Sequence, residues 1–277
     1  MTRQIVVAVD GSAPASAAVE WATADARRKG LGLRIVHVCE QGQHGAEQCA
    51  DILEVAADRA RALGGGIEVT TELLAGGVAE TLLAESVKAD SLVIGSRGLG
   101  GFKGLVLGSV GMAVAGHADG PVVVVRGPAA ETHERVVVGY DGSPHADAAM
   151  EYAIDQARRR DAALHVVYGW TMPAFSPYAV AYDSLIEGVM QEEERAARDR
   201  LTPWRERHPD VWITEAHACE HPVAALIEAS KRADLVVVGS RGRGGLASAV
   251  LGSVSHGVLH HVTCPVAVVR PRPEVTS

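Results

Sequence analysis

Aromatic side chains are scarce in this sequence of 277 residues, at 4%, and lysine is scarcer still, supplying four of the 26 basic residues. With few rings to fill an interior, the core must be built from Ala, Val and other small or branched aliphatics, which suit strands buried on both faces. Clustered cations are missing too. Residues 1–130 hold 11 Lys and Arg against 14 Asp and Glu, residues 131–277 hold 15 against 20, and the formal net charge is −8. Neither half offers the basic patch that nucleic acid or an anionic membrane surface requires, so neither is expected as a partner. A disordered scaffold is excluded as well, because hydrophobic residues make up 47% and charged residues 22%. Cysteine is limited to Cys39, Cys49, Cys219 and Cys264, with no C-x-x-C and no histidine at metal-site spacing. That pattern predicts buried or incidental free thiols rather than a zinc site or a redox dithiol. Long apolar runs are absent: residues 244–269 are uncharged, but Gly244, Gly245, Gly252, Gly257, the histidines and Pro265 break them into a loop, a helix and a strand. The N-terminal stretch Ile5–Val9 ends at Asp10, short of a signal-peptide core, and a cytoplasmic location is expected.

What is present is present twice. Ile5-Val-Val-Ala-Val-Asp10-Gly-Ser12 returns 131 residues later as Val136-Val-Val-Gly-Tyr-Asp141-Gly-Ser143. Gly95-Ser-Arg-Gly98, Gly108-Ser109 and Pro121–Arg126 return 144 residues later as Gly239–Gly242, Gly252-Ser253 and Pro265–Arg270. The change of offset predicts a 13-residue insertion in the second copy, placed at Gly169 to Gln191. Each copy alternates short apolar runs with helical patterns, which implies right-handed βαβ crossovers and a parallel sheet. The fold expected is α/β: two tandem Rossmann-like domains over residues 1–128 and 134–273, each a five-stranded parallel sheet of order 3-2-1-4-5 with helices on both faces. Ser12 and Ser143, each followed closely by a proline, mark helix starts.

Two features recur together at predicted strand ends. Asp10-Gly11 and Asp141-Gly142 follow the first strand, and glycine-rich loops from Gly95 to Ser109 and from Gly239 to Ser253 follow the fourth. In a doubly wound sheet those strands flank the switch point, where a crevice opens for a ligand. Glycines let the backbone approach a phosphate, and a helix start at Ser109 or Ser253 adds amides and the positive dipole end. The Walker pattern and the G-x-G-x-x-G fingerprint are both absent, and Gly252-Ser-Val-Ser255-His-Gly257 does not form a nucleophile elbow.

The spacing G-2x-G-9x-G-[ST], met by Gly95, Gly98, Gly108-Ser109 and by Gly239, Gly242, Gly252-Ser253, with D-G-S after the first strand, resembles the ATP-binding branch of the universal stress protein family. The resemblance implies that Asp10 and Asp141 lie at the ribose end of ATP. It implies that the loop glycines with Ser109 and Ser253 hold the phosphates, with Mg²⁺ carried mainly by those phosphates. Backbone groups at Val38, and at Gly169 in the second copy, would meet adenine, with Val110 and Val254 lining the pocket. It further implies that the final strands pair as edges, first between copies and again between chains, giving a homodimer. No catalytic or metal-ligand set accompanies these residues. The function expected is an ATP-binding stress-response regulator with up to two sites. A slow ATPase or phosphotransferase is the alternative, and a structural partner without nucleotide the second.

Overall fold

Runs of valine, isoleucine and leucine become strands here because both faces of the sheet are covered, so every position along a run finds an apolar neighbour. In a computed structural model, residues 4–40, 46–98, 107–127, 131–170, 183–243 and 250–272 are described. The first copy runs β1 (Ile5–Ala8), α1 (Ala13–Lys29), β2 (Leu33–Cys39), α2 (Ala46–Gly64), β3 (Val69–Ala75), α3 (Val78–Lys88), β4 (Leu92–Gly95), α4 (Ser109–His117), β5 (Val122–Val125). The second repeats it as β6 (Arg135–Gly139), α5 (Pro144–Arg160), β7 (Ala163–Gly169), α6 (Asp183–Arg207), β8 (Ile213–Ala218), α7 (Pro222–Ser230), β9 (Leu235–Gly239), α8 (Ser253–His261), β10 (Val266–Val269). Alternation along the strands sorts the core into two layers. Ile5, Val7, Leu33 and Ile35 pack with Ala18, Ala22 and Ala26 of α1, while Val6, Val36, Leu92 and Val124 pack with Leu82 and Val114 on the other face.

The strands form one ten-stranded sheet of order β3-β2-β1-β4-β5-β10-β9-β6-β7-β8. Each half therefore has the expected order 3-2-1-4-5, and the halves join where β5 and β10 pair antiparallel, Val266 opposite Val124 and Val268 opposite Val122. The predicted pairing of final strands between copies holds. Their predicted use again between chains is corrected: a strand has two edges, and β5 is filled by β4 and β10, β10 by β5 and β9. The outer strands of the sheet are β3 and β8.

The insertion falls between β7 and β8, since the offset is 131 up to β7 and 144 from β8 onward. There α6 is 25 residues long against 19 for α2, and residues 171–182 lie outside the described residues. Residues 99–106 and 244–249 of the glycine loops, and 128–130 of the linker, also lie outside them. The caps are as predicted: Ser12 Oγ accepts from Ala15 N at 3.3 Å and Ser143 Oγ from Ala146 N at 3.2 Å. On the exposed face of α6, Arg198 donates to Glu194 at 3.2 Å.

Candidate functional site

At the carboxyl ends of adjacent β1 and β4, and of β6 and β9, the chain makes the same construction twice. After the first strand, Asp10 Oδ1 accepts from Ser12 N and Asp141 Oδ1 from Ser143 N, both at 3.0 Å. Between them Gly11 and Gly142 have φ of 82° and 75°, a conformation that suits glycine. The loop after the fourth strand is drawn onto this turn. Ser12 Oγ donates to Arg97 O at 3.2 Å in the first copy, and Arg243 N donates to Asp141 Oδ2 at 2.9 Å in the second. Gly98 and Gly242 lie so close to the carboxylates that an added Cβ would stand 2.5 Å from Asp10 Oδ2 or Asp141 Oδ2.

The remaining motif glycines have distinct surroundings. Gly95 and Gly239 touch the first turns of α1 and α5, where a Cβ would lie 2.8 Å from the Pro14 or His145 carbonyl carbon. Gly108 and Gly252 are the N-caps of α4 and α8, and their own amides are taken, donating to Ser96 O at 2.9 Å and Ser240 O at 2.8 Å. The first turns beyond them, at Ser109-Val110-Gly111 and Ser253-Val254-Ser255, are not capped by a side chain among the described residues. Their amides carry the positive end of the helix dipole.

In the second copy these parts surround a cavity of about 530 Å³, whose lining brings together Asp141, Gly169, Gly239, Gly242, Gly252, Ser253 and Val254. Gly142 stands just behind it, against Arg200. Its lining is apolar at Val167, Leu226, Val238 and Leu251 and carries Arg241 and Arg243. Arg243 and Tyr140 were not singled out from sequence. The repeat hid them, because Leu99 and Val9 stand at the matching places in the first copy. Nearby, burial first, then Arg241 and Arg270, hold the His145 pKa below the ordinary histidine value.

In the first copy Asp10, Gly11, Gly95, Gly98, Gly108, Ser109 and Val110 take the equivalent places at the ends of β1 and β4. Val38 is buried in the core layer that holds Leu82 and Val114, opposite Leu74 of β3. Val110 and Val254 are half-buried against that same layer. Gly169 packs against the start of α7, since a Cβ there would lie 2.6 Å from Pro222 Cα. Ser255 is no nucleophile: its buried hydroxyl is shared between Ser240 O and Gly252 O, at 3.0 Å each.

The cysteine expectation is corrected. Cys39 at the end of β2 and Cys49 on α2 form a disulfide with their Cα atoms 6.5 Å apart, while Cys219 and Cys264 are free. Burial pushes the Cys264 thiol up to about 12. No local spacing announces the disulfide: Cys39 ends β2, Cys49 lies in α2, and only the packed fold brings the sulfurs together.

Such a fold, with the same turn and glycine loop at each switch point and a cavity at the second, defines a tandem Rossmann-like α/β protein. Its sequence is matched by the model of the Universal stress protein family over residues 1–126 and 132–270, and the chain belongs to that family. It is 34% identical to a universal stress protein of Mycolicibacterium smegmatis over 300 residues, covering 97% of each chain. A universal stress protein of Mycobacterium tuberculosis is 34% identical over 303 residues, covering 96% of this chain and 94% of its own. In fold the chain is similar to the crystal structure of a universal stress protein from Archaeoglobus fulgidus DSM 4304, with a TM-score of 0.70 at 22% identity, covering 98% of this chain and 97% of that one. Among the described residues, no helix is long and apolar enough to cross a membrane.

Proposed function

We propose that this protein binds adenine nucleotide, ATP with Mg²⁺ held mainly by its phosphates, in up to two crevices within residues 1–128 and 134–273, and acts as a cytoplasmic stress-response regulator whose occupancy shifts conformation or self-association. The observation that carries this is the second crevice. An apolar lining large enough for a base adjoins a turn, a glycine loop and an uncapped helix start that together offer amides and arginines to an anion. Hydrogen bonds to a charged group are worth about 1.5–3 kcal/mol each, so a few amides suffice for useful affinity. Binding is favoured over turnover because the candidate catalytic groups are engaged in structure. Asp141 receives a backbone amide on each oxygen, and Ser255 is held by two carbonyls.

The test is calorimetry with ATP and Mg²⁺ on the full chain, beside mass spectrometry of small molecules released on denaturation. Wild type is expected to take up to two nucleotides per chain, Gly242→Val to lose the second site, and Gly98→Val with Gly242→Val to lose both while circular dichroism shows the fold intact. A wild type that carries no nucleotide and binds none overturns the proposal. Steady-state turnover above about 1 per second would move the protein into the enzyme class.

A further inference from the structure

His37 and Cys39 are two residues apart on β2 and so share a face of the sheet, the face over which α2 carries Cys49. A ring nitrogen of His37 and the sulfurs of Cys39 and Cys49 lie within 4.8 Å of one another. His37 is 5% exposed. Its Nδ1 lies 2.7 Å from the carbonyl oxygen of Val9. A carbonyl only accepts, so Nδ1 carries the proton and Nε2 the lone pair. That Nε2 is buried and, among the described residues, has no hydrogen-bond partner. A histidine fixed through one nitrogen by a carbonyl and bare at the other is set as metal-binding histidines are set.

We propose that, once its disulfide is reduced, the first copy holds a soft divalent metal ion of the zinc type on Cys39 Sγ, Cys49 Sγ and His37 Nε2. A small-molecule thiol reductant supplies two electrons and two protons, which break the sulfur–sulfur bond and leave two thiols, while the reductant departs as its own disulfide. The metal then replaces the two thiol protons, which pass to solvent, and takes the imidazole lone pair as its third bond. Two sulfurs and one nitrogen leave a fourth tetrahedral position for water or an anion. A set without carboxylates suits zinc and not magnesium or calcium. Disulfide and metal use the same sulfurs, so the two states exclude each other. The second copy has no such set: Tyr168 and Trp170 occupy the places of His37 and Cys39. There Tyr168 OH instead accepts from Arg200 Nη1 at 3.0 Å.

The site is tested in the full chain carrying Cys219→Ser and Cys264→Ala, so that Cys39 and Cys49 are the remaining thiols. The protein is reduced with a phosphine without oxygen, stripped with a chelator, and titrated with Co²⁺ and then Zn²⁺. One Co²⁺ per chain is expected, with sulfur-to-cobalt charge-transfer absorption that Zn²⁺ abolishes. The disulfide form and Cys49→Ser are both expected to lose that absorption, and His37→Gln to weaken Co²⁺ binding by about 10-fold or more. Absence of the band in the reduced protein, equal uptake by the disulfide form, or a band that survives Cys49→Ser overturns the proposal. If His37→Gln does not fold, the oxidised protein and Cys49→Ser still decide it.

Discussion

The two copies share the Asp-Gly turn and glycine loop but brace them differently, and the contrast separates what the fold requires from what a given site adds. Both need the Asp-Gly turn and the glycine that lies on its carboxylate, Gly98 or Gly242. Beside the second strand they diverge. The first copy braces its corner with the Cys39–Cys49 disulfide and the bond from His37 to Val9. The second replaces Val9 with Tyr140, whose hydroxyl donates to Asp147 at 2.8 Å and accepts from Trp204 Nε1 at 3.2 Å. It replaces His37 with Tyr168, which lies under the Arg200 guanidinium at 5.8 Å. A covalent tie in one copy thus answers to an aromatic network in the other.

Where the copies meet, a near-symmetric arrangement contains one decisive asymmetry. By the offset of 131, Trp21 matches Tyr152, Lys29 matches Arg160 and Asp25 matches Gln156. The cations cross over, Arg160 standing 5.4 Å from the Trp21 ring centre and Lys29 5.2 Å from that of Tyr152. At the middle, fully buried Asp25 accepts from Gln156 Nε2 at 3.2 Å and Arg160 Nη2 at 3.1 Å, with Lys29 Nζ at 3.9 Å. Asp25 is thus the buried carboxylate of Arg160, while Lys29, though near it, donates to Asp90 at 2.6 Å; strict symmetry would leave either two carboxylates side by side or none. Asp25→Asn keeps the shape and removes the charge, and is expected to cost about 3–5 kcal/mol in denaturant unfolding. Gln156→Ala, which removes a neutral donor, should cost less. If the order of the two variants were reversed, the asymmetry would have no stabilising role.

An exchange of residues between the copies sharpens the comparison further. Gly169→Val gives the second copy the residue of the first, but its Cβ would stand 2.6 Å from Pro222 Cα, a backbone atom that moves only with α7. A loss of about 1–3 kcal/mol is expected, read as a lower denaturation midpoint. Nucleotide binding at the second site should weaken too, since Gly169 and Pro222 both line the cavity. A Gly169→Val protein as stable as wild type would show that α7 shifts freely.

Much of this was legible in the sequence, and what was hidden is hidden for one physical reason. The repeat offsets, the strand order and the Ser12 and Ser143 caps are local or periodic signals, and they reappear in the fold. The turn aspartates and the glycines at 98 and 242 were found as a pattern, and the fold gives that pattern its geometry. Contacts between distant elements left no local trace. The Cys39–Cys49 disulfide, the filled edges of β5 and β10 and the sharing of Asp25 across α1 and α5 all depend on which surfaces pack together. Gly95 and Gly239 lie between these cases. Their motif spacing suggested phosphate contact, whereas their nearest neighbours are the helix starts of α1 and α5.

The smallest expected effect concerns Tyr152, which is buried at the interface with a hydroxyl that has no hydrogen-bond partner among the described residues. Burial first, and then the nearby Asp25 charge, raise its pKa well above the ordinary 10.0. The folded protein thus holds this proton more tightly than the unfolded chain. Below the unfolded value its contribution to stability is complete. As pH climbs beyond that value the unfolded chain releases the proton while the folded one keeps it, so stability falls, by up to about 1.4 kcal/mol per pH unit. Trp21, its counterpart in the first copy, has no such proton to lose. Tyr152→Phe should therefore leave stability at neutral pH within about 1 kcal/mol of wild type, because it removes a hydroxyl that was not satisfied. It should also flatten the alkaline limb, narrowing the difference between denaturation midpoints measured near about pH 9 and about pH 11. An alkaline limb as steep as that of wild type would place the titrating group elsewhere and leave the two halves of the interface equivalent in their response to pH.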